Sequence, residues 1–135
     1  TIHSFPTRRS SDLKPVLFRP DIRRLMDIVS RISVDERIEE YIVALVTASR
    51  ETSRGGHSFS RYIEFGASPR ATIYLYRCAK VKALFEGRDY VVPEDVKSIS
   101  RPVLRHRIVL SYEAEAEELT TDDVVNYLLS AVPVP

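Results

Sequence analysis

Apolar residues recur along most of this chain at spacings of three and four, the pattern of amphipathic helices, and no run of alternating residues is long enough to predict a multistranded sheet. From Pro20, the positions Ile22, Leu25, Met26 and Val29 form one stripe, closed by Ile32. Ser33 then precedes Val34, Asp35 and Glu36, and a serine with a glutamate three residues on predicts a capping box that opens a second helix. Val34, Ile38, Tyr41, Ile42, Leu45 and Ser49 carry its inward stripe to about Arg50. The stretch from Glu51 to Gly66 holds Gly55, Gly56, His57 and several serines, which predicts a disordered connection with one extended stretch at Tyr62 to Phe65.

Ser68 and Pro69 predict the next boundary, with the serine as cap and the proline as first helical residue. Ile73, Leu75, Tyr76, Cys78, Ala79, Val81, Ala83, Leu84 and Phe85 then ring almost the whole circumference, which predicts an enclosed helix at the centre of the bundle. Gly87 supplies a left-handed stop, and Pro93, Glu94 and Asp95 open a fourth helix whose Val96, Ile99 and Val103 face inward. Arg105 to Leu110 leaves it in extended form, and Ser111 to Leu119 reads as an acidic, solvated connector. Thr120 with Asp123 repeats the capping pattern before a last helix, whose stripe of Val124, Val125, Leu128, Leu129 and Val132 ends at Pro133. The expected fold is therefore all-α, a bundle of four to five helices.

At 135 residues the chain fits one domain, and a hydrophobic share of 44% beside a charged share of 29% is that of an ordinary globular protein. The net charge of +1 provides no overall field for nucleic acid or an anionic membrane. No apolar run approaches the roughly 20 residues of a membrane helix, and the single cysteine, Cys78, suits a reducing cytoplasm. Residues 1–13 read TIHSFPTRRSSDL, polar and basic without periodicity. They are set apart as an unstructured segment that also resembles translated sequencing-adaptor DNA, which leaves 14–135 as the folded domain.

Candidate chemistry centres on Arg70. A cation in the first turn of a helix faces the positive end of its dipole, at a cost of roughly 0.3–1 kcal/mol unless an anion offsets it. A phosphate would do so, because free N–H groups and a planar guanidinium converge on the same oxygens. A solvated arginine, or one paired with a carboxylate, is the simpler reading, and spacing alone leaves both open. Arg105, His106 and Arg107 form a second basic cluster, open either to a neighbouring subunit or to the ordinary role of cations at a helix C-terminus. His57, His106 and Cys78 lack zinc-ligand spacing, so no metal site is expected.

Three segments in order resemble the helical lid of MoxR-type AAA+ ATPases: Gly66 to Ala71 (GASPRA), Gly87 to Val91 (GRDYV) followed by Pro93 to Val96 (PEDV), and Val103 to Ile108 (VLRHRI). The resemblance runs from about Val16 to Val132. It implies that Arg70 is the sensor 2 residue reading the γ-phosphate of ATP, with Gly66, Ser68 and Pro69 beside it. It further implies a core AAA+ domain that holds ATP and Mg2+, a homo-oligomeric ring, commonly hexameric, and a von Willebrand factor A domain partner. The lid would couple ATP hydrolysis to chaperone-like remodelling in the cytoplasm. None of Gly55, Gly56, Gly66 and Gly87 opens a GxxxxGK[ST] loop, so this stretch is expected not to hydrolyse ATP alone, and the core is expected ahead of Val16. Two other classes compete: a helical nucleic-acid module using Arg101, Arg105, His106 and Arg107, and a free-standing helical adaptor.

Overall fold

The computed structural model describes residues 13–51 and 58–135. The predicted Gly55-Gly56-His57 connection and nearly all of the set-apart N-terminal segment lie outside them. The described residues form α1 (Arg19–Arg31), α2 (Glu36–Ala48), a 3₁₀ helix (Ser58–Tyr62), β1 (Ile63–Phe65), α3 (Arg70–Phe85), α4 (Pro93–Leu104), β2 (Val109–Leu110), α5 (Tyr112–Ala116) and α6 (Thr121–Ala131). The fold is a helical bundle, as expected, with one small addition. β1 and β2 pair antiparallel, Ile63 opposite Leu110 and Phe65 opposite Val109, with an irregularity between the two pairs.

The core is continuous. Ile42 and Leu45 from α2, Leu75 from α3, Val96 and Leu104 from α4, and Val124, Val125 and Leu128 from α6 are all within 2% of complete burial. Side chains of this kind contribute about 1.5–3 kcal/mol each when fully removed from water. α3 packs most extensively against α4 and also meets α1 and α2.

Helix ends are set locally where the chain allows it. The Thr120 hydroxyl accepts from the Asp123 N–H at 3.2 Å, and the Asp123 carboxylate accepts from the Thr120 N–H at 2.8 Å, the predicted reciprocal box. Asp21 and Asp95 stand at the same helical position and accept from the N–H of Phe18 and Val92. Gly87 adopts φ +72°, and the bonds Gly87 N–H to Leu84 O and Arg88 N–H to Ala83 O close α3 as a Schellman motif.

Several expectations are corrected. Ser33 does not cap α2: Asp35 does, accepting from the Arg37 N–H at 3.0 Å, because its carboxylate sits one residue before the helix. Ser33 is instead drawn into a tertiary link, its N–H donating to Asp89 O and its carbonyl accepting from the Val91 N–H. The extended stretch expected at Tyr62 to Phe65 is found as β1, whereas the disorder expected around it is not found in residues 58–62, which form a 3₁₀ helix with Phe59 and Tyr62 buried against the core. Ser111 to Leu119 is not a bare connector, since Ser111 caps α5 and Ala114 is fully buried, although its glutamates do face solvent. α3 is not enclosed, because Ile73 and Phe85 are 51% and 78% exposed and Cys78 is only half-buried. α1 departs furthest, since none of its residues is buried and only Ile32, just beyond its end, reaches the core.

Candidate functional site

The start of α3 is held by the end of α2. Ser49 is completely buried, and its hydroxyl donates to Val46 O at 2.6 Å while accepting from the Ala67 N–H at 3.0 Å. The neighbouring backbone comes so close that a Cβ on Gly66 would lie 2.1 Å from the Ser49 carbonyl oxygen. Glycine is needed here for want of space, not for a left-handed φ. Ala67 and Ala71 are fully buried on either side of the turn, so the backbone of Gly66 to Ala71 is anchored at both ends.

Beyond this clamp the chain faces water. Pro69 already has helical dihedrals, φ −54° and ψ −24°, and Ser68 and Pro69 offer their carbonyls to the Ala71 and Thr72 N–H groups. Pro69 therefore does open the helical turn, but Ser68 is not a side-chain cap: it is exposed, and no side-chain hydrogen bond caps α3. Arg70 follows as the first residue of the helix, exposed, and its guanidinium has no ion-pair or hydrogen-bond partner among the described residues. The first turn contains no acidic residue. Of the simpler reading left open in sequence, the pairing with a carboxylate is not found among the described residues, and Arg70 is a solvated arginine.

Gly66, Ala67, Ser68 and Pro69 line one wall of an open cavity of about 340 Å³, with Arg50 and Glu64 across it. Sequence does not single out Arg50, because it lies 16 residues before Gly66 and only the tertiary contact of the α2 end with this turn brings it there. An exposed cation, uncapped helical N–H groups and an open approach suit a multiply charged phosphate.

The second basic cluster is otherwise employed. Arg105 pairs with Asp122 at 2.8 Å and Arg101 donates to Asn126 Oδ1 at 2.6 Å, tying α4 to α6. Arg107 donates to Val103 O, touches His106, and lies over the Tyr74 ring at 4.6 Å. The Gly87-to-Val96 segment is a structural knot. Arg88 grips Asp95 through two hydrogen bonds of 2.8 and 2.6 Å, and Asp95 also accepts from the Val92 N–H. Burial works to raise the Asp95 pKa, but these bonds outweigh it and hold the carboxyl below its ordinary range.

Residues 58–128 match the family described as the AAA lid domain. The chaperone MoxR1 of Mycobacterium tuberculosis is 38% identical over 123 residues, covering 90% of this chain and 33% of that protein. The protein MoxR of Methylorubrum extorquens is 35% identical over 126 residues, covering 85% of this chain and 36% of its own length. A crystal structure from Cytophaga hutchinsonii, of a protein assigned as an ATPase, superposes with a TM-score of 0.79 at 39% identity, over 86% of this chain and 36% of that one. The chain thus spans about a third of the length of the curated relatives it matches.

Proposed function

The chain belongs to the AAA lid family, as the helical lid of a MoxR-type AAA+ ATPase, and from that membership we propose that it reads the state of a bound nucleotide through Arg70. In this reading the lid occupies residues 14–135, and residues 1–13 take no part in it. A core AAA+ domain elsewhere in the complete protein binds ATP and Mg2+. In hydrolysis water adds to the γ-phosphorus as its bond to the β-phosphate oxygen breaks, giving ADP and phosphate, and negative charge is spread over the γ-phosphate oxygens in the transition state. Arg70 stabilises that charge as the sensor 2 residue, and the Gly66-to-Pro69 turn holds it in place. Because Gly66 is pressed against Ser49, a pull on Arg70 is passed to α2 and so moves the lid as a body. The lid alone, lacking a phosphate-binding loop, does not hydrolyse ATP. The complete protein assembles as a homo-oligomeric ring, a hexamer, in the cytoplasm. It couples turnover to chaperone-like remodelling of a client with a von Willebrand factor A domain partner.

One observation carries the proposal: an exposed guanidinium without a partner among the described residues, at the end of a helix where a cation is unfavourable. The nucleic-acid reading gains nothing from the structure, since Arg101, Arg105 and Arg107 are committed to intramolecular contacts. The test is Arg70→Ala in the complete ATPase. ATP turnover is expected to fall on the order of ten-fold or more, as when a preorganised charged donor to a developing anion is removed. Thermal stability should stay within about 0.5 kcal/mol of the parent, as for an exposed site. Unchanged turnover removes Arg70 from the mechanism.

A further inference from the structure

α1 is amphipathic, yet it buries no residue. Ile22 and Met26 are 46% and 66% exposed, and on the facing helix Phe85 is 78% exposed. The two helices are nevertheless joined, because the Lys80 amine, itself buried, donates to Ser30 O at 3.0 Å. Between them lies an open cleft of about 640 Å³, with Leu25, Met26 and Val29 on one wall and Val81, Leu84 and Phe85 on the other. It is formed by the later turns of α3, away from Arg70 at the start of that helix.

The charge around this cleft is one-sided. α1 carries Arg19, Arg23, Arg24 and Arg31 against Asp21 and Asp27, and the later turns of α3 carry Arg77, Lys80 and Lys82, of which Lys82 is paired with Glu86 just past the helix. In a chain whose net charge is +1, the two sides of the cleft hold seven cations and three acids. Arg77 and Lys80 line the cleft itself, no carboxylate does, and the Arg77 guanidinium has no partner among the described residues.

We propose that this cleft is a docking groove for an acidic amphipathic helix of another protein, its apolar face seated between α1 and α3 and its glutamates or aspartates against the arginines. The shape suits a rod: on α1 the lining residues run from Ile22 to Ser30, about 13 Å at 1.5 Å per residue, and helices bind such grooves through apolar anchors at helical spacing. A bilayer requires a flat or convex apolar face, whereas this one is concave. A nucleic acid would meet a hydrocarbon floor in place of polar partners for its bases. The chain's own acidic helix α5 has only five residues, and its Glu113 lies 3.6 Å from Arg61, so a second copy is a poor occupant.

The test uses a fluorescein-labelled designed peptide with leucines on one face and glutamates on its flanks, titrated by anisotropy with this chain and with the complete protein. The peptide binds both, and Met26→Asp and Arg77→Glu each weaken binding about ten-fold, the loss of a central anchor or a charge pair. Both positions are exposed, so far-UV circular dichroism remains that of the parent. A lysine-flanked counterpart binds far more weakly. The proposal is overturned if the lysine peptide binds equally well, if both variants bind like the parent, or if phosphatidylserine vesicles or duplex DNA are the tighter ligands. It is overturned equally by a Met26-dependent dimer in sedimentation, which puts a second copy in the groove. Binding confined to the isolated chain would show that the rest of the protein covers it, with the same result.

Discussion

At the residue scale, Gly66 and Gly87 are glycines for unrelated reasons, and the difference is measurable. Gly87 has φ +72° with nothing within 4 Å of a would-be Cβ, so alanine there meets only backbone strain of about 1–2 kcal/mol. At Gly66 the obstacle is the Ser49 carbonyl oxygen at 2.1 Å, a backbone atom that cannot swing aside. Gly66→Ala must therefore part α2 from the turn that presents Arg70, and is expected to lose about 3 kcal/mol, the upper range for overpacking. Urea denaturation of the two variants should rank Gly66→Ala clearly below Gly87→Ala. Equal losses would mean that the Ser49 contact yields easily and does not fix the turn. Arg70 itself was legible in sequence because a cation in a first turn is a local anomaly. Arg50, on the cavity beside the same turn, was not, because its approach to Gly66 depends on a contact that no local pattern encodes.

At the scale of elements, boundaries written in adjacent residues were readable and those settled by distant partners were not. Thr120 and Asp123 cap α6 as expected, since both halves of the box lie within one turn. Ser33 looked equally suited to α2, but Asp35 is nearer to the free N–H groups, and Ser33 bonds instead to Asp89 across the fold. α5 was missed because its five residues show no period, and its one buried side chain is an alanine. It ends at Glu118, whose φ of +56° is the left-handed conformation that Gly87 adopts after α3. The Leu119 N–H reaches Ala114 O and the Glu118 N–H reaches Glu115 O, the same closure built on a residue with a Cβ. Glu118→Gly should relieve this strain. Against the greater chain entropy that glycine loses on folding, the net gain is about 0.5–1 kcal/mol, seen as a melting temperature a few degrees higher. A lower melting temperature would show that the exposed glutamate contributes more than its conformation costs.

Across the whole molecule, the helical bundle followed from the periodicity, whereas the direction in which α1 faces did not: an amphipathic stripe says that a helix has an apolar side, not what covers it. What unites the molecule is the turn between α3 and α4. Through Asp89 and Val91 it bonds to Ser33 at the α1–α2 junction, and through Arg88 it is tied to Asp95 at the start of α4. Asp95 is 2% exposed, so its charge is held almost entirely by Arg88 and the Val92 N–H. Because its folded-state pKa lies below the ordinary value of 3.8, ionised Asp95 favours the folded state above that pH, and this contribution is lost as pH falls through the depressed value. Asp95→Asn keeps the shape but cannot neutralise Arg88, and should lose about 2–3 kcal/mol at pH 7, the range for a hydrogen bond to a charged group left unmade. In urea unfolding at pH 7 and again at a pH below the depressed value, the gap between parent and variant should narrow at the lower pH, where the folded parent's carboxyl also takes up a proton. A gap of equal size at both would mean that shape, and not charge, is what Asp95 brings to the junction.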